Sequence, residues 1–222
     1  MKKLALIVVC VALVVSCKDA KEKKLEDEIV NDDDMILEQE DIVYDIQNSS
    51  NTSFMAALDE YQKGNFERAS EYIENGVIEL REEEEPTELV NGLLLDSEIE
   101  KIRSLEESVR TNKIKDIDVL TQAMANAEML VAHNYIVYTI STLIEEPAKG
   151  TYYFNKALRS LNNAVFNLKG EAKDEAMRIR ADSEKLVGKV NSEPNAKDLD
   201  KDLKVQTKRM EDFLKKYKTN LK

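Results

Sequence analysis

Few residues of this chain have the type and setting to do chemistry. Cys17 stands directly after the small Ser16, at the end of an unbroken apolar run from Leu4 to Val15. Its thiol is a nucleophile that a small preceding residue leaves accessible. Cys10 lies inside that run and would leave with it if the run were removed. His133 is the single imidazole. A zinc site needs three or four ligands, so one histidine and no second free thiol give neither a metal site nor a catalytic set. Between Leu130, Val131, Ile136 and Val137 it reads as a core or helix-contact residue, or as a pH sensor if its ring is buried. Tyr61, Tyr72, Tyr138, Tyr152 and Tyr153 join His133 as candidates to line a groove for a peptide or small molecule, and equally as core residues with their hydroxyls at the rim.

Other chemistry is excluded by pattern. The run Asp32-Asp33-Asp34 lacks the alternating acids, central glycine and closing glutamate of a calcium loop. No glycine-rich phosphate loop, Gly-x-Ser-x-Gly elbow or His-Glu-x-x-His helix occurs, so no catalytic residue, cofactor or metal is expected and the chain does not read as an enzyme. A formal charge of −12 is wrong for nucleic acid, which is gripped by clustered lysine and arginine.

Lys2 and Lys3 precede the apolar run, which is of signal-peptide length and short for a permanent membrane span. Val14-Val15-Ser16-Cys17 resembles the lipobox of bacterial lipoproteins, with valine where leucine is commonest. The resemblance implies lipidation of the Cys17 sulfur, cleavage after Ser16 and acylation of the new terminus. Two or three acyl chains anchor stably where one is marginal. Lys18, in place of an aspartate at the position after the cysteine, implies the outer membrane, with periplasmic and surface-facing placements both open.

The resemblance thus implies that residues 1–16 are a lipoprotein signal and 17–52 the lipidated cysteine with an acidic tether. Residues 18–52 carry twelve acids against four lysines, and a chain of about thirty-five residues reaches roughly 30 Å as a coil and over 100 Å stretched. Six glycines, three prolines and no tryptophan predict an all-α body, a bundle of about six helices in hairpins over 53–192. Thr52 or Ser53 is expected to cap its first helix. Lys63-Gly64-Asn65 is expected to turn it, and Ile117–Ile144 to be a buried central helix. After Gly170 a charged helix is expected to close near Pro194.

Tyr61, Gly64-Asn65, Phe66 and Ala69 resemble the first half of a tetratricopeptide repeat. Ala157, Leu161, Ala164, Val165 and Leu168 repeat the offsets of Ala69, Ile73, Gly76, Val77 and Leu80, each set following a Lys-Gly pair read as a turn, Lys63-Gly64 and Lys149-Gly150. With Ala132-His133, the arrangement also resembles the YfdX-type helical proteins of bacterial envelopes, a likeness that implies fold rather than mechanism. Residues 195–222 are expected to form an amphipathic basic helix, nine basic residues against five acidic from Lys197 onward, free to dock on the body, the tether, a twin chain or an anionic lipid surface.

The expectation is a lipid-anchored envelope protein that serves as a helical interaction or scaffolding module, with the membrane as one partner and a protein or second copy as the other. The alternative is a ligand-binding or stress-sensing protein with a pocket near the central helix.

Overall fold

With glycine and proline scarce, each helix stops where a particular residue stops it. The computed structural model describes residues 49–83 and 92–218. Among them are eight helices: α1 (Ser49–Gln62), α2 (Phe66–Glu83), α3 (Gly92–Arg110), α4 (Ile117–Thr142), α5 (Pro147–Asn167), α6 (Gly170–Glu184), α7 (Val187–Ser192) and α8 (Leu199–Lys216). No strand occurs among the described residues, and the protein is an all-α helical bundle. Cys17, the expected signal and most of the expected tether lie outside the described residues, as do residues 84–91 and 219–222.

Gly64 ends α1 in the left-handed region at φ 81°, with its N–H on the Tyr61 carbonyl at 3.0 Å and the Asn65 N–H on the Glu60 carbonyl at 2.9 Å. These are the paired bonds of a Schellman cap. Asn112 ends α3 in the same way at φ 51°. Asp116 opens α4, its carboxylate accepting from the Asp118 N–H at 2.9 Å. Pro147, which has no N–H to leave unsatisfied, opens α5.

Gly76 is the contact between α1 and α2. A Cβ there would lie 2.5 Å from the Phe54 ring, so the fully buried Phe54 sits directly on the α2 backbone. The α2–α3 register is set by Arg81–Asp96 at 3.0 Å, Arg103–Glu74 at 3.4 Å and a hydrogen bond from Ser70 to Glu106. The expected central helix is α4, buried from Ala123 through Ile136. It pairs along its length with α5 and is flanked by α3 and α8.

The C-terminal helix docks on the body. Leu199, Leu203, Met210 and Phe213 of α8 are buried against α4 and α6, and full burial of such side chains contributes about 1.5–3 kcal/mol each. Ionic contacts fix its register on α6. Lys216 lies 2.6 Å from Glu175, whose carboxyl it holds below the usual range, and Arg209 pairs with Asp182. Lys189 of α7 reaches Asp198 at 2.5 Å and Asp202 at 2.9 Å, and those carboxylates push its ammonium up to about 12.

Three expectations are corrected. The first helix begins at Ser49, so Thr52 and Ser53 lie inside α1, and its buried face is Ser50, Asn51, Phe54, Ala57 and Glu60. Lys149-Gly150 is no turn but the first turn of α5. A Cβ on Gly150 would lie 2.6 Å from the Leu143 Cα, so that glycine permits a close crossing and the reversal falls at Glu145-Glu146. The two hairpins therefore share helix offsets but not a turn. The charged helix after Gly170 breaks at Lys185-Leu186 into α6 and α7.

Candidate functional site

The antiparallel pairing of α4 and α5 gathers the tyrosines near the reversal into one cluster. Tyr135 and Tyr138 come from α4, Tyr152 and Tyr153 from α5. Ring centroids are 6.0 Å apart for Tyr135 and Tyr153, 5.5 Å for Tyr138 and Tyr153, and 6.4 Å for Tyr135 and Tyr138. Tyr135 and Tyr153 are buried, while Tyr138 and Tyr152 are half-buried.

A cation completes the cluster. Lys156, one turn after Tyr152, holds its ammonium 4.8 Å from the Tyr152 ring centroid and 5.3 Å from that of Tyr135. Burial pulls its pKa down, but hydrogen bonding to the Tyr152 and Tyr135 hydroxyls and their electrostatic attraction outweigh this, so the group titrates above its ordinary value and stays charged at neutral pH. Such an arrangement binds by cation–π attraction and phenolic hydrogen bonds, about 0.5–2 kcal/mol per cation–ring contact.

The other candidates lie elsewhere. Tyr61 meets Phe66 across the Gly64 turn at 5.4 Å between centroids, and Tyr72 is half-buried on α2. His133 is on α4 but faces α8, its Nε2 3.6 Å from Glu211 Oε1. Burial holds its imidazole below the usual range, and the nearby Glu211 carboxylate opposes that shift. The structure thus unites Tyr138, Tyr152 and Tyr153 and separates them from Tyr61, Tyr72 and His133. Lys156, absent from the sequence-derived candidates, was signalled by its four-residue spacing from Tyr152.

A second polar group lies where α1 starts. Glu128, fully buried on α4, accepts from Ser50 Oγ at 3.0 Å. Asn51 Oδ1 accepts from Asn167 Nδ2 of α5 at 3.0 Å. A carboxylate at a helix N-terminus is favoured by the orientation of the backbone dipoles, so Glu128 ties the first turn of α1 to the central helix.

Among the described residues, no three of His, Cys, Asp and Glu are grouped to hold a metal, and no helix is long and apolar enough to cross a membrane. No family model, curated protein or solved structure matches this chain.

Proposed function

We propose that this chain is a lipid-anchored helical interaction module of a bacterial envelope, held at the outer membrane by acyl groups on Cys17 and presenting its body to a protein partner. The observation that carries the reading is Val14-Val15-Ser16-Cys17 at the end of the apolar run. The interaction role is supported by apolar side chains left in solvent on three consecutive helices. Met55 on α1 is 40% exposed, Ile78 on α2 45% and Leu94 on α3 56%. Side chains of that size on adjoining helices suit a surface that a partner covers. The test is metabolic labelling with a fatty acid in cells making the whole chain or its Cys17→Ala variant. The whole chain is expected to take up label and sediment with outer membranes. A labelled Cys17→Ala chain, or an unlabelled parent, overturns the anchor.

The alternative is a ligand site at the tyrosine cluster, favoured by the Lys156 ammonium held among phenols. An anionic aromatic ligand suits that chemistry. A thermal-shift screen of such compounds is expected to give hits that Lys156→Met abolishes, and hits indifferent to that substitution count against the site.

A further inference from the structure

One side of α5 is a row of polar and aromatic groups. Tyr152, Lys156, Arg159, Asn163 and Asn167 recur at spacings of three and four, which places them along one stripe of the helix. The opposite side, with Ala157, Leu161, Ala164 and Leu168, fills the core. Tyr152, Lys156 and Arg159 are half-buried.

The stripe carries positive charge without acids to match it. No aspartate or glutamate occurs in α5, whose cations are Lys149, Lys156 and Arg159. Lys149 is paired with Glu146 at 3.7 Å. Arg159 makes no ion pair with any described residue, and its Nε is buried with no hydrogen-bond partner among them. The carboxylates on the adjoining helices are engaged with other groups. Glu128 of α4 accepts from Ser50, and Glu184 of α6 lies 2.9 Å from Arg180. Glu184 is the α6 acid at the level of Arg159, because Arg180, one turn before it, donates to Asn162 at 2.6 Å. A guanidinium shielded from water calls for an acceptor, and a charged one serves best.

The chain reaches the body along this stripe. Asn51 is hydrogen-bonded to Asn167 at 3.0 Å. Ser50 is bonded to Glu128, which the antiparallel α4–α5 pairing puts near the level of Ser160, about two turns back from Asn167. From Ser50 to the Gly64 turn, α1 therefore advances toward the end of the bundle where α5 finishes. The hydrogen bond from Ser70 to Glu106 agrees with this direction, since it sets the start of α2 beside the end of α3, which leads into α4. The chain preceding Ser49 consequently points the other way, back along α5 toward Arg159, Lys156 and Tyr152.

The upstream sequence has the matching chemistry. Residues 38–48 hold Glu38, Glu40, Asp41 and Asp45 and no lysine or arginine. Asp45 precedes Ser49 by four residues, a reach of up to about 13 Å, and Arg159 lies eight residues before Asn167, about 12 Å along the helix. Asp41 and Asp45 are four apart, a spacing that keeps both carboxylates on one side in a helix and in an extended chain alike.

We infer that segment 38–47 docks along the α5 stripe of its own body, with the carboxylates of Asp41 and Asp45 received by Lys156 and Arg159. The docked segment borders the tyrosine cluster and shortens the free span ahead of the body. This docking depends neither on acylation of Cys17 nor on a ligand at the cluster.

The test places the photocrosslinker p-benzoylphenylalanine at position 44 of the whole chain, in place of tyrosine, and maps the attachment site by mass spectrometry. The expected product is an intramolecular crosslink to α5 between residues 149 and 163, or to Tyr138 beside it. Its yield is expected to be unchanged on dilution, since the short linker gives a millimolar effective concentration. Asp41→Lys together with Asp45→Lys, which alters no described residue, is expected to lower that yield by roughly fivefold. Arg159→Gln is expected to lower it in the same direction with the helical circular dichroism unchanged. A crosslink to another face of the body, to a second copy or to lipid overturns the proposal, as does no crosslink or a yield that the Asp41, Asp45 double variant leaves unchanged.

Discussion

His133 Nε2 lies 3.6 Å from Glu211 Oε1, joining the central helix α4 to the C-terminal helix α8. The histidine side chain is 5% exposed and the glutamate 46%, with Lys208 3.7 Å from the other Glu211 oxygen. Because burial keeps the folded-state pKa of His133 below its ordinary value, the unfolded chain binds the proton more readily. Stability is therefore full above about pH 6.5 and falls as the pH drops from there towards the folded value. Urea midpoints between pH 7.5 and about pH 5 are expected to decline in the parent and to flatten in His133→Gln. The lowered carboxyls Glu175 and Asp182 act in a separate window, their contribution being lost only as pH falls below the ordinary carboxyl range of about 4. An unchanged slope in His133→Gln would place the titration elsewhere.

Gly76 and Gly188 make a paired test of close packing. Gly76→Ala forces a methyl into the Phe54 ring, and overpacking of this kind costs about 1–3 kcal/mol. Gly188 sits in α7 with nothing within 4 Å of its would-be Cβ, so Gly188→Ala is expected to stabilise by about 0.5–1 kcal/mol through helix propensity alone. Denaturant midpoints at constant slope measure both, and shifts of the same sign would contradict the contact.

Ser50→Ala removes a hydrogen bond to a fully buried carboxyl. The expected loss is roughly 1–3 kcal/mol. Hydrogen exchange is expected to localise it to α1, and a variant that exchanges like the parent there would show that Glu128 does not hold the helix.

Lys156→Met keeps the aliphatic stem and deletes the charge between the Tyr135 and Tyr152 rings. A stability loss of about 0.5–2 kcal/mol is expected, with an altered near-ultraviolet tyrosine spectrum and unchanged helix content. An unaltered spectrum would mean the ammonium does not order the rings.

The helical class and the central helix were legible because their signals are local. Residues 129–143 are apolar around most of the circumference, and Gly64 ends α1 by a backbone conformation that glycine adopts freely. What escaped depends on distant partners. Ser49 to Thr52 resemble a loop by composition, yet they are helical, with Ser50 and Asn51 held by Glu128 and Asn167, 78 and 116 residues away. Gly150 resembles a turn residue until Leu143 is seen crossing over it. The tyrosine cluster was half visible. Tyr152, Tyr153 and Lys156 are neighbours in sequence, but Tyr135 reaches them only through the antiparallel α4–α5 pairing.

The Ser50–Glu128 and Asn51–Asn167 bonds also determine how the molecule carries mechanical load. Among the described residues, the first groups that a pull from the N-terminal side would strain are these two cross-links into α4 and α5. Force therefore passes from the leading turn of α1 into the longest and most buried helix of the body, rather than peeling the α1–α2 hairpin away from its Gly64 end.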